Sequence, residues 1–408
     1  MAKLKIKNVG PIKDGYDSSD GFIDFKGVTV FIGNQGSGKS TIAKLFSTLS
    51  WIEKALIRGD FTEAYVMKYN RFKNKHLAYQ NLSNYLNDNS YIEYIGNAYR
   101  LIYENNQFSA FPSLSNTAYS FPKIMYVPAE RNFVSSVDRP DLVKRLPLPL
   151  YTFMDEFLDA KHNLSGGIDL PIGNTRFEFI KQRNKGILVG NGYNLDLLEA
   201  SSGFQSLVPL ILVTRHLSEI VKAKGSVSRK DISRDEEEKI RKTINKLFEN
   251  ENISEDVLKV ALENLSSRYR YESFINVVEE PEQNLYPTSQ KDVLFELLKY
   301  RNLNSNNKLI ITTHSPYLIN YLTISVKADE LKMNPNFDRQ KENINSIVPL
   351  NSTLNSNELR IYELDEKYGC IKILKAYRGL PSDENQLNEK LGESNEFFAQ
   401  LLEIQSSL

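Results

Sequence analysis

The chain lacks most of what would mark a secreted, membrane-bound or broadly nucleic-acid-binding protein. A single cysteine, Cys370, in 408 residues excludes a disulfide within the chain and a thiolate metal cage; a lone cysteine of this kind reads as inert. Neither sign of charge is in excess, since Lys+Arg and Asp+Glu both number 51. No global field then draws DNA nonspecifically, and any nucleic-acid contact must be a local patch. Long apolar runs are missing as well. The longest, Leu207 to Val213, falls far short of the roughly 20 residues a membrane-spanning helix needs. The opening residues, Met1 to Lys7, alternate charged and apolar without an unbroken apolar stretch. These absences predict a soluble, cytoplasmic protein with no membrane partner.

What is present begins with two strands. Leu4 to Val9 alternates like a half-exposed strand, and Gly27 to Ile32 is a β-branched run of the buried type. The second leads into Gly33, Asn34, Gln35, Gly36, Ser37, Gly38, Lys39, Ser40 and Thr41, which fits G-x-x-x-x-G-K-[ST] and opens an expected helix from Thr41 to Leu49. Phosphate oxygens need many donors at close range. Glycines let backbone N–H groups curl around them, and the helix N-terminus adds partial positive charge. In such a loop Lys39 reaches the β- and γ-phosphates and Ser40 ligates Mg²⁺, so ATP and Mg²⁺ are the expected ligands.

Two further strands end in chemistry. Phe274 to Glu280 is a hydrophobic strand closing on adjacent carboxylates before Pro281; Glu279 is expected to hold Mg²⁺ through water, and Glu280 to polarise the attacking water. Lys308 to Thr313 is a buried strand presenting His314 at its carboxyl end, where ligands of open α/β sheets bind. Ser315 and Pro316 then read as N-cap and first residue of the next helix.

Loop, double-acid strand and histidine strand, in this order, resemble the ABC ATPase superfamily, in the branch of SMC-like and RecF-like proteins. The resemblance implies an α/β ABC-type P-loop head, a mixed sheet with flanking helices, spanning 1–408 as one domain. It also implies a signature motif that aims a serine hydroxyl and a helix N-terminus at ATP held by a second copy. Two segments compete for that part. Leu164, Ser165, Gly166 and Gly167 match the letters but run into an extended, proline-broken stretch. Ser201, Ser202, Gly203 and Gln205 match less well but lead into Leu207 to Val213, expected as a buried helix with Pro209 in its first turn. A helix must follow the motif, so the second is taken as signature and the first as a turn.

Two departures from the family pattern stand out. The magnesium-side acid is Glu279 where aspartate is usual, which predicts slow turnover. The strand Lys123 to Val127 ends in Pro128, Ala129, Glu130, Arg131 and Asn132, without the family's glutamine. Glu130 is the candidate for that place and Arg131 a candidate for phosphate or partner contact, although an Arg–Glu pair after a strand is as often an ordinary surface pair.

The remainder reads as insertions. Residues 51–120 are expected to form a helical insertion rich in aromatics and bases, among them Lys68, Tyr69, Arg71, Phe72, Lys73, Lys75, His76 and Tyr79. This stretch reads first as an amphipathic helix with a solvated basic face, second as a surface for a nucleic-acid strand or an acidic protein. Residues 216–270 are expected as a helical hairpin, too short for SMC arms. Residues 355–408 are expected as a two-stranded hairpin and a final helix from Asn395 to Gln405. No clustered carboxylates of a Toprim nuclease follow the motor, so any destructive chemistry would belong to a separate partner. The combination resembles the AriA ATPases of PARIS anti-phage systems. That resemblance implies a homo-oligomer joined through ATP, a Toprim-like nuclease partner and a phage-encoded trigger protein. The alternative is a RecF-like repair ATPase that clamps DNA.

Overall fold

The parallel strands of this chain are apolar on both sides, and the computed structural model shows why: a central sheet lies between two cores. The structure describes residues 2–113, 119–223, 241 and 270–407; the hairpin expected at 216–270 lies almost wholly outside them.

Seven strands form the central sheet in the order β2 (Gly15–Tyr16), β16 (Cys370–Ile373), β15 (Leu359–Asp365), β4 (Val28–Gly33), β14 (Lys308–Thr313), β13 (Ser273–Glu279), β8 (Pro122–Val127). From β15 to β8 every pairing is parallel, and β15–β16 is antiparallel. This is the α/β class with a mixed sheet and flanking helices that the sequence predicts. Along β4, Val28, Val30 and Ile32 enter one core while Phe31 enters the other. Ile275 and Val277 of β13 face the second core, Phe274 and Val278 the first, as the two-residue period of a strand dictates.

The first core packs the sheet against helices α2 (Leu148–Asn163), α3 (Ser202–Lys222), α4 (Pro287–Arg301) and α5 (Pro316–Leu331). The second core encloses α1 (Lys39–Arg58) between the sheet and an antiparallel layer in the order β3 (Ile23–Asp24), β1 (Lys3–Val9), β5 (Leu86–Ile95), β6 (Tyr99–Glu104), β7 (Gln107–Pro112). Caught between two layers, α1 is buried on nearly every side and runs on past the expected end at Leu49. Phe46 stacks on Phe25 at 3.7 Å. Near its C-terminus, Glu53 accepts from the backbone N–H groups of Ala98 (2.7 Å) and Tyr99 (3.1 Å) and from the Tyr94 hydroxyl (2.9 Å). Burial raises its pKa against those bonds. A four-stranded antiparallel sheet, β12 (Tyr193–Asp196), β11 (Lys185–Gly190), β10 (Arg176–Ile180), β9 (Gly167–Asp169), completes the first core's margin.

Three expectations need correction. Residues 51–120 are not a helical insertion: α1 ends at Arg58 and strands occupy most of 86–112. Asn105 and Asn106 both adopt positive φ (48° and 60°), the two-residue turn that asparagine tolerates and that closes β6 onto β7. Nor do the aromatics and bases line one helix face. Phe72 and His76 are buried, Phe72 stacks on Phe108 at 4.3 Å, and Arg71 lies over the Tyr65 ring at 3.8 Å. Finally, Pro209 sits deep inside α3, not in its first turn. The C-terminal hairpin is as expected, while the last helix, α6 (Gln386–Ser407), begins earlier than Asn395. Among the described residues no helix is long and apolar enough to cross a membrane.

Candidate functional site

Register brings the motif residues together before any side chain is considered. Thr312 of β14 pairs with Glu279 of β13, Thr313 with Ile32 of β4, and Gly33 with Leu364 of β15. The parallel strands thus end along one edge, and the loop from Gly33 to Gly38 rises from it into α1. Gly33 has φ +144°, and a Cβ there would stand 2.4 Å from the Leu364 carbonyl. No larger residue can make this exit from the strand.

Within the loop Asn34, Gln35 and Gly36 are exposed, Ser37, Gly38, Lys39 and Thr41 buried, and Ser40 half-buried. The Asn34 side chain accepts from the Gln35 N–H (2.8 Å) and donates to Glu366 (3.0 Å). Lys39 Nζ donates to the carbonyls of Gly33 and Asn34, both at 2.8 Å. Burial pushes its pKa down to about 8, against the opposing pull of Glu280, Glu282, Glu279 and Glu366.

Lys39 also stands 3.5 Å from His314 Nδ1, and His314 Nε2 stands 3.3 Å from Glu280 Oε1. Loop, double-acid strand and histidine strand therefore meet in one continuous row of side chains. The hydrogen bond with His314 leads in holding the Glu280 pKa below its ordinary value, against partial burial. Among the described residues, Glu279, buried within β13, has no hydrogen-bond partner at Oε1, and neither has the buried Ser37 hydroxyl. The Glu279 carboxylate raises the Tyr126 pKa further, after burial itself.

Glu280 lies just past the strand with φ +43°, a conformation costing a non-glycine residue roughly 1–2 kcal/mol. The turn is held from both ends. Its N–H donates to the Thr312 carbonyl (2.9 Å), and its carbonyl accepts from Gln283 N (3.0 Å) and Arg131 Nη2 (2.7 Å).

One contributor was missed in the sequence and a second was given another role. Glu282 accepts from the Thr313 hydroxyl (2.7 Å) and the His314 N–H (2.8 Å), fixing the end of β14 from which the imidazole projects. Its position two residues after the acid pair was the available signal. Arg131 is the other. It is fully buried, so it is not the phosphate or partner contact considered above. Its Nε donates to Ser206 O (3.2 Å), and Nη1 to Glu279 O (2.8 Å). Burial pushes its pKa down to about 10.

The residues taken as signature open α3. Ser201 is the N-cap but makes no capping bond, Ser202 is exposed, and Gly203 is buried against Asn284, whose carbonyl would lie 2.8 Å from an added Cβ. They join the cluster through Asn284 and Arg131, not through the loop at Gly33–Gly38. Gln205, grouped with the nucleotide contacts, is turned elsewhere: its amide donates to the carbonyls of Leu197 (3.3 Å) and Leu198 (3.0 Å). Leu164 to Gly166 connect α2 to β9, with Gly166 at positive φ, whereas Gly167, expected in the same turn, is the first residue of the strand.

The family described as "AAA domain, putative AbiEii toxin, Type IV TA system" matches residues 234–320, a stretch that includes Glu279, Glu280 and His314. No curated protein sequence matches the chain. Solved structures similar to it include the SMC head domain from Thermotoga maritima, with 11% identity, a TM-score of 0.38, and coverage of 92% of this chain and 98% of that one. An SMC head bound to the C-terminal winged-helix domain of ScpA gives 11% identity and 0.36, over 91% and 96%. A dimeric ATP-binding cassette in a post-hydrolysis state bound to ADP and Pi gives 11% and 0.31, over 92% and 100%.

Proposed function

We propose that this chain is an ABC-type ATPase that binds Mg-ATP at the loop from Gly33 to Thr41 and hydrolyses it at a site completed by a second copy. The observation that carries the reading is the row Lys39, His314, Glu280, with separations of 3.5 and 3.3 Å. It links three segments far apart in sequence whose only common property is the chemistry expected of them.

The loop's backbone N–H groups and Lys39 bind the phosphates, with Lys39 exchanging its carbonyl partners for phosphate oxygens. Ser40 and Glu279 are the residues that would hold Mg²⁺. The orphaned Glu279 Oε1 and Ser37 hydroxyl fit an ion that keeps much of its water shell and takes few protein ligands. When bound, the ion supplies charge neutralisation at the phosphates. Glu280, a carboxylate whose pKa the hydrogen bond with His314 lowers, orients the attacking water and accepts its proton; His314 holds that carboxylate in place and faces the same centre. Ser202 and the open N-terminal turn of α3 serve the phosphates bound by the second copy.

The expected outcome of Glu280→Gln is a fall in turnover of about 10²–10⁴-fold with ATP affinity preserved. Equilibrium titration with a fluorescent ATP analogue and a steady-state phosphate assay read the two quantities separately, and unchanged turnover would overturn the assignment.

We further propose a regulatory place for this ATPase in an anti-phage defence complex, acting on a separate Toprim-like nuclease after a phage protein is sensed. The description of the matched family as a putative toxin of a toxin–antitoxin system is what supports it. The mass of the complex purified from its native operon, with and without ATP, tests it; a bare homodimer in both conditions would count against it.

A further inference from the structure

A buried arginine normally meets a carboxylate, because an unpaired charge away from water is costly. Arg131 has Glu279, Glu280 and Glu282 around it, yet among the described residues its guanidinium donates to main-chain carbonyls. Those carbonyls belong to three separate segments: Pro128 after β8, Ser206 in the first turns of α3, and the Glu279–Glu280 turn.

The α3 end of this link is built to receive it. Pro209 has no N–H, so the Gln205 carbonyl loses its partner four residues on. The Ser135 hydroxyl takes that place at 2.5 Å, and one residue along, Arg131 Nε reaches the Ser206 carbonyl. At the other end the guanidinium holds the carbonyls on both sides of the Glu279–Glu280 peptide junction, where Glu280 adopts φ +43°. The planar fork of arginine fixes the directions of its donors relative to one another, which a single ammonium does not.

We propose that Arg131 is a positioning residue that sets the aim of Glu280 from the N-terminal end of α3, so that seating of that helix end on a second copy is transmitted to the residue that orients water. The proposal rests on the ATPase reading above. Arg131 is fully buried and donates to the Glu279 and Glu280 carbonyls, so it acts through the backbone of Glu280.

The test uses the full chain and the variants Arg131→Lys, Glu280→Gln and the double variant. Affinity for a fluorescent ATP analogue is measured in the presence of EDTA, and kcat and KM by phosphate release. Arg131→Lys should leave affinity within about 3-fold of wild type while kcat falls by about 30-fold or more, and it should cause no further loss in the Glu280→Gln background. A kcat within about 3-fold of wild type overturns the proposal, as does an affinity loss equal to the kcat loss, which would mark a purely structural role. Should Arg131→Lys fail to fold, Pro209→Ala carries the test. It restores an N–H to the Gln205 carbonyl, competing with Ser135 one residue from the Ser206 carbonyl that Arg131 reads, so kcat should fall several-fold at unchanged affinity, and an unchanged kcat overturns the link. If wild type neither binds nor hydrolyses ATP, the underlying ATPase reading fails instead, and if Glu280→Gln turns over normally, the assignment of Glu280 on which the proposal rests fails.

Discussion

Raising the pH from about 7.5 to about 9.5 should remove the proton from Lys39 in the free protein, because burial places its pKa at about 8, well below that of a solvated lysine. Only the ammonium attracts phosphate. With one titrating group the apparent dissociation constant scales as one plus the ratio of neutral to charged lysine, which rises about 25-fold over that interval, or about 2 kcal/mol. Titration of a fluorescent ATP analogue in EDTA measures this without the metal's own pH dependence. Lys39→Arg is the control, since a guanidinium stays charged throughout, and its affinity should be flat. A flat wild-type curve, or an equal decline in the arginine variant, would refute the reasoning. The stability of the free protein should move oppositely. The folded pKa lies below the unfolded one, so the unfolded chain binds more protons between about 8 and 10.5. The lysine's unfavourable contribution is therefore fully present below pH 8 and is relieved as the pH rises through that window.

Gly203→Ala should lower kcat without weakening ATP binding to one copy. The added methyl lies 2.8 Å from the Asn284 carbonyl and must displace the start of α3, at an overpacking cost of about 1–3 kcal/mol offset by about 1 kcal/mol of helix propensity; a fully active variant would place the signature elsewhere. Glu53→Ala should destabilise the chain by about 3 kcal/mol in urea unfolding, because the backbone donors of Ala98 and Tyr99 lose their acceptor. A loss below about 1 kcal/mol would show that water replaces the carboxylate.

The parts of the site written in one short stretch were legible in the sequence. The loop needs its glycines and lysine in fixed order, and the strands before Glu279 and His314 announce themselves by runs rich in apolar and β-branched residues, so their meeting followed from parallel topology. Arg131 was not legible. Its role depends on a carbonyl left near its partner by Pro209, 78 residues further on, and on its own complete burial, neither of which a local window reveals. Strands β5 to β7 were hidden differently. The lysines and tyrosines just before them, from Lys68 to Tyr79, suggested a helix face, while the decisive signal, Asn105–Asn106 in the left-handed region, is a property of two turn residues. The position of Pro209 was misjudged because a proline normally starts a helix; here Ser135 supplies the bond that lets one sit inside.

On the proposed reading the two cores also set how copies of the chain depend on one another. Lys39 belongs to the helix enclosed by the second core and Ser202 to a helix of the first, so on the proposed reading each chain is lender and borrower at two different nucleotides. A chain crippled at Lys39 still lends its α3 end, and one crippled at Ser202 still offers its loop. Paired together, those two damaged chains retain one intact centre where each paired with itself has none. Complementation between inactive copies, in a ratio set by random pairing, would then be a population-level signature of this architecture.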